Sequence, residues 1–102
     1  MRVITRRRLL DFEALHPDSR EGLERWFRIA GNSSWVSIDD VHRIFPHADV
    51  VRLRSGRTLT VFNISGNKYR LVVAIHFNRR TVYIREILTH AEYSRQDWKE
   101  RN

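Results

Sequence analysis

The chain has 102 residues, 41% of them hydrophobic and 30% charged, and no cysteine. That is one domain's worth of sequence, residues 1–102, which excludes paired domains, repeat arrays, disulfide scaffolds and thiolate chemistry. The formal charge of +7 is lopsided: residues 1–51 carry 8 basic and 8 acidic side chains, residues 52–102 carry 11 and 4. Arginine supplies 17 of the 19 basic residues. Guanidinium forks match phosphate oxygens bidentately, so a surplus confined to one half is the footprint of a polyanion site, and a nucleic-acid partner is expected.

At the N-terminus, Val3 and Ile4 read as a short opening strand and Thr5 as the cap of a helix carrying Leu9, Phe12 and Leu15. Asp11 and Glu13 break any apolar signal core there. Pro17 suits the first turn of a second helix, in which Leu23, Trp26, Phe27 and Ala30 fall at i, i+3, i+4 and i+7 before Gly31-Asn32 stops it. A short third helix starts at Ser37-Ile38-Asp39-Asp40 and ends before Pro46. His42 and His47 flank that proline five residues apart, which is not the spacing of a helical metal pair, and carboxylates are not clustered, so no metal or other cofactor is expected.

The second half reads as strands over residues 49–54, 57–64, 68–77 and 81–88, separated by Ser55-Gly56, Ser65-Gly66-Asn67 and Asn78-Arg79-Arg80. Short turns between consecutive strands imply an antiparallel meander, and helices before sheet imply an α+β layout with the helical hairpin on one sheet face. The longest apolar run, residues 71–75, is a strand's length and not a membrane span. In that strand Tyr69, Leu71, Val73, Ile75 and Phe77 face one way and belong on the core. Lys68, Arg70, Val72, Ala74 and His76 face the other way. Two cations followed by small apolar residues read as the floor of a partly covered groove.

The last strand has Arg85 at its middle and runs into Thr89-His90-Ala91-Glu92, a capping box. Leu88 and Tyr93 are then placed as a hydrophobic staple, and His90 and Tyr93 share a helix face near free N–H groups that favour phosphate. Each also has a purely structural use: Tyr93 as the staple, His90 as a first-turn residue, Arg85 as a partner of Glu86 or Glu92.

The runs from Val61 to Phe77 and from Val82 to Tyr93 closely resemble the HigB-type toxins of type II toxin–antitoxin modules. The specific part is Asn63-Ile64-x-Gly66-Asn67-Lys68-Tyr69-Arg70 with Ile84-Arg85 and Thr89-His90-x-Glu92-Tyr93. The opening MRVIT and Pro46-x-Ala48-Asp49 look like the same family. The resemblance implies a RelE/ParE-like α+β fold, with an N-terminal helical hairpin on an antiparallel sheet and a short C-terminal helix. It implies metal-independent endoribonuclease activity on mRNA, associated with the ribosome, that inhibits translation in the cytoplasm. It also implies neutralisation by a HigA-type helix-turn-helix antitoxin, with operator DNA bound only through the toxin–antitoxin complex.

RNA cleavage by its own 2′-OH needs a base, an acid for the leaving 5′-oxygen and cations for the phosphorane charge. Lys68, Arg70 and Arg85 are the candidate charge stabilisers, and His90 and Tyr93 the candidate proton-transfer groups, with His90 preferred as base. Asn63 and Asn67 are candidates for holding a base or sugar edge, although Asn67 equally suits the turn. Two rival readings remain open: a toxin of the same fold that binds a protein target, and a basic RNA-binding module that does not cleave. The cation, His and Tyr set argues against the first. The lack of aromatic residues on the exposed strand face argues against the second.

Overall fold

A computed structural model describes residues 1–102. Helical periodicity in the first half and β-rich runs in the second become two layers: β1 (Arg2–Ile4), α1 (Arg6–Leu15), α2 (Arg20–Gly31), α3 (Ile38–Ile44), β2 (Asp49–Arg52), β3 (Thr58–Ile64), β4 (Tyr69–His76), β5 (Thr81–Thr89) and α4 (His90–Arg95). Strands β2 to β5 form the expected antiparallel meander, and the full sheet order is β1-β5-β4-β3-β2. The fold is α+β. One expectation needs correcting: β1 pairs with β5 in parallel, so the sheet is mixed. Three residues joining a strand almost eighty residues away leave no periodic trace of that pairing in the local sequence.

In α1, Leu9 is buried, Phe12 is half-buried and Leu15 is 79% exposed, while Glu13 is buried at 9%. The expected stripe fails at Leu15 for a geometric reason. At about 100° per residue, Leu15 lies roughly 120° around the helix from Leu9, and Glu13 only about 40°. Thr5 occupies the cap position with φ 96°, and its side chain makes no capping bond; its carbonyl accepts from the Arg8 N–H instead. The α2 stripe holds, with Leu23, Trp26 and Ala30 buried after a 3₁₀ turn begun by Pro17. Gly22 lets α2 approach the β3–β4 turn closely, since a Cβ there would meet Ile64 Cγ2 at 2.9 Å and the Ser65 backbone N at 3.2 Å.

The sheet is covered on both faces. On one side, α1, α2 and α3 enclose the larger core, in which Leu9, Leu23, Trp26 and Val41 pack on Phe62, Tyr69, Leu71, Val73, Val82 and Ile84. On the other, Leu53, Leu59, Val61, Val72, Ala74 and Leu88 form a second core with Trp98, a residue of the 3₁₀ turn Asp97–Lys99. That second core is why residues 71–75 are apolar without alternation.

The β4–β5 ladder slips between Val72, opposite Glu86, and Val73, opposite Ile84, so Arg85 is the extra residue of a β-bulge. A bulge reverses the in–out phase of a strand. Val82 and Ile84 accordingly belong to the larger core, and Leu88, past the bulge, to the second.

Candidate active site

At the α4 end of the second sheet face, three side chains come together. Arg70, only 9% exposed, leaves β4 and is clamped by two carbonyls: its Nη1 donates to Asn67 O at 3.0 Å and to Tyr69 O at 3.2 Å. Its Nη2 faces His90 Nδ1 at 3.5 Å. Its guanidinium carbon lies 5.5 Å from the centre of the Tyr93 ring. A cation over an aromatic face, wedged beside an imidazole and fixed by backbone, is a preorganised anion site.

Helix α4 delivers the other two groups through the predicted capping box. Thr89 Oγ1 accepts from the Glu92 N–H at 3.2 Å, and Glu92 Oε1 accepts from the Thr89 N–H at 2.9 Å. Backbone hydrogen bonding from Thr89 is the main reason the Glu92 carboxyl is held below its ordinary value. Leu88 and Tyr93 share the second core, as the staple requires. Most N–H groups at the helix start are already engaged, however: besides those of Thr89 and Glu92 in the capping box, His90 N donates to Lys68 O at 2.9 Å and ties that turn of backbone to the residue before β4.

Tyr93 is stacked on Trp98 with ring centres 5.3 Å apart and planes at 15°. Burial raises its phenol above the usual value, Asp49 adds to the rise, and Arg70 opposes it. The hydroxyl therefore keeps its proton at neutral pH and is a donor, not a base. Asp49 is the residue of this neighbourhood that sequence reasoning left without a role. It lies opposite Val61 in the β2–β3 ladder, on the same face as Arg70. Its place in the Pro46-x-Ala48-Asp49 segment was the available signal.

The other candidates are distributed differently. Asn63 sits directly opposite Arg70 in the β3–β4 ladder, and with Asn67, Pro46 and His47 it lines a hollow of about 380 Å³ beside the cluster. Lys68 does not lie beside Arg70. Its Nζ reaches Asp18 Oδ2 at 3.1 Å, on the helical side. Lys68 precedes the first paired residue of β4, so strand alternation does not bind it, and Asp18 supplies a counter-charge from fifty residues away. Tyr69 OH donates to the other Asp18 oxygen. The Tyr69 hydrogen bond and then Lys68 hold Asp18 below the usual carboxylate range.

Arg85 stands apart too. Its Nε donates to Asn102 Oδ1 at 2.9 Å, its carbonyl accepts from Arg8, and its side chain lines a separate cleft. Glu86 is held by Arg101 and Asn102, not by Arg85. His42 is occupied by the Ala48 carbonyl at 2.8 Å, and no three His, Asp or Glu side chains converge in a way that could hold a metal ion. No helix is long and apolar enough to cross a membrane.

The sequence matches, over residues 19–96, the HigB toxin family, described as the RelE-like toxic component of a toxin–antitoxin system. Among its relatives, the mRNA interferase toxin HigB of Escherichia coli (strain K12) is 28% identical over 93 residues, spanning 91% of this chain and 88% of that protein. The mRNA interferase HigB of Shigella flexneri is equally similar. The mRNA interferase HigB of Escherichia coli O6:H1 (strain CFT073) is 21% identical over 95 residues, spanning 93% and 90%.

Proposed function

The chain belongs to the HigB family of RelE-like toxins of toxin–antitoxin systems, and from that premise we propose that it is an mRNA interferase whose chemistry is carried by Arg70, His90 and Tyr93. The convergence of those three side chains on one rim of the sheet carries the reading. Arg70 holds the scissile phosphate and strengthens its grip as charge builds on the equatorial oxygens. Its Nη2 faces His90 Nδ1, an arrangement that leaves the lone pair on Nδ1 and the proton on Nε2. A phosphate that accepts the Nη2 hydrogens in place of the imidazole frees Nδ1 to take the 2′-OH proton. The 2′-oxygen then bonds to phosphorus in line and the P–O5′ bond breaks. Tyr93 protonates the departing 5′-oxygen, since an alkoxide is far more basic than a phenolate. The products are a 2′,3′-cyclic phosphate and a free 5′-OH, and no metal ion enters the scheme.

Asn63 and Asn67 bind a base or sugar edge next to Arg70. Lys68 acts on the site indirectly, by anchoring the β3–β4 turn to Asp18, and Arg85 binds RNA farther along the sheet. The mRNA is cut on the ribosome in the cytoplasm. The toxin is silenced by a HigA-type helix-turn-helix antitoxin, through which the pair binds operator DNA.

The test is RNA cleavage by the purified chain, with and without ribosomes, followed by end analysis of the fragments. Arg70→Ala and His90→Ala should each cut the rate by about 10²–10⁴-fold with the melt preserved. Cleavage of ribosome-free RNA should survive EDTA. Activity lost in EDTA and restored by Mg²⁺ or Mn²⁺, with the fold unchanged, would overturn the metal-free scheme. Growth inhibition without any RNA cleavage would move the reading to a protein target.

A further inference from the structure

At the end of the second sheet face opposite α4 lies a cleft of about 710 Å³ whose walls include Arg57, His76, Asn78, Tyr83 and Arg85. No carboxylate lines it. His76 and Tyr83 meet edge to face, ring centres 5.1 Å apart and planes at 73°, on neighbouring strands. The β-bulge at Arg85 re-aims that side chain, and Asn102 holds it half-buried at the cleft wall. The side chains of Arg57, His76, Asn78 and Tyr83 make no hydrogen bond or ion pair within the molecule. Polar groups that fold into a concave wall without partners are available to a ligand, and the volume lies within the range of small-molecule sites. Cations, an aromatic pair with an open face and an amide are together the chemistry of one nucleotide: phosphate for the guanidinium groups, a base for the rings, and hydrogen bonds for Asn78.

The approach from the catalytic cluster is basic. Strand β2 runs from Asp49 towards this end, and Arg52, Arg54 and Arg57 follow its hairpin into β3. Arg52 and Arg54 share a further hollow with Arg95 and Lys99 from the α4 side, where four cations outnumber the carboxylates of Asp97 and Glu100. Arg70 and His76 are six residue steps apart along β4, about 20 Å of extended strand. We propose that this cleft is a second nucleotide site, which binds a base and phosphate of single-stranded RNA several nucleotides from the bond that is cut. The inference rests on the reading of the chain as an RNA-cleaving enzyme. It adds that substrate length and flanking sequence are sensed through His76, Tyr83 and Arg57.

The experiment compares a trinucleotide with a dodecamer, both single-stranded and of mixed sequence, on wild type and on the double variant Arg57→Ala/His76→Ala. Both residues are exposed, so the variant should fold, and a thermal melt checks it. Binding is read with 2′-deoxy oligonucleotides, which cannot be cleaved, and cleavage with their ribose counterparts. Wild type should bind the dodecamer more tightly than the trinucleotide. The double variant should weaken dodecamer binding at least about tenfold and raise its KM alike, leaving kcat and the trinucleotide unchanged. Equal dodecamer affinity for wild type and variant would overturn the site, including the case in which the variant instead loses an acidic protein partner. An equal loss on both lengths would overturn it too. Dodecamer binding that depends on the cleft, with no RNA cleavage by wild type either alone or with ribosomes, would sink the nuclease reading and leave the site standing.

Discussion

Tyr93 and Lys68 show how far a side chain's surroundings decide its use. Tyr93 has an aromatic body packed on Trp98 and a hydroxyl that makes no hydrogen bond in the fold. Tyr93→Phe therefore removes no structural partner, and its melt should match wild type. Cleavage should fall by about 10²-fold or more, as for loss of a positioned acid. Because burial, with help from Asp49, raises the phenol above 10.0, the alkaline limb of the pH–rate profile should begin above the range of an ordinary tyrosine. The phenylalanine variant should lack that limb. Lys68 makes the opposite case. It is an exposed cation whose partner, Asp18, lies on the helical side, and such pairs contribute little to stability. Lys68→Ala should lower the melting temperature slightly and cost far less activity than Arg70→Ala. A loss as large as that of Arg70→Ala would return Lys68 to the reacting phosphate. Lys68 and Arg70 look like a pair in the sequence, but strand alternation holds only within the ladder, which begins at Tyr69, one residue after Lys68.

Among the elements, α4 was the most legible, because a capping box is a local motif whose partners are three residues apart. Its energetics have a definite pH sign. Glu92 is held below its ordinary value chiefly by the Thr89 N–H, so it favours the fold above the unfolded carboxylate value near 4.5. That contribution disappears as pH falls through the depressed folded value. Glu13 runs the other way. Burial, then Glu24, raises it, so its ionised form opposes folding at neutral pH and protonation relieves the cost as pH falls through the raised value. Glu13→Gln should therefore raise the melting temperature at pH 7, with the gain shrinking towards pH 3. Glu92→Gln should flatten the acid-side loss of stability. Thr89→Ala should cost about 1 kcal/mol by leaving the Glu92 N–H without its acceptor. Elements that depend on distant partners were less readable. Nothing local marks Arg85 as a bulge, and Leu15 is apolar on a helix whose buried side passes through Glu13.

For the whole molecule, the arginine surplus and the second core belong to one arrangement. Several arginines of the helical layer are tied down: Arg6 lies 4.3 Å from the centre of the Phe27 ring, Arg7 pairs with Asp11, Arg20 with Glu24, and Arg8 holds the bulge carbonyl of Arg85. Arg52, Arg54 and Arg57, which make no ion pair, border the other face. That is where the charge split of the sequence pointed, although the sequence did not show what covers the face between its two ends. The cover is Trp98, an isolated aromatic residue in a charged tail whose partners lie on four strands and α4. It is 1% exposed, and its Nε1 donates to Tyr93 O at 3.1 Å while its ring supports the Tyr93 ring. Trp98→Ala should cost about 3–5 kcal/mol, a large share of the roughly 5–15 kcal/mol that holds a domain folded. That variant would confuse unfolding with loss of function. Trp98→Phe is the sharper probe, because it keeps much of the apolar contact and deletes the donor. It should stay folded with a lowered melting temperature, and it should reduce kcat by loosening Tyr93 while leaving KM near wild type. If the tail acts through Tyr93, Trp98→Phe should slow the Tyr93→Phe background much less than it slows wild type. Equal slowing in the two backgrounds would mean that Trp98 holds the fold and has no separate influence on the reacting groups.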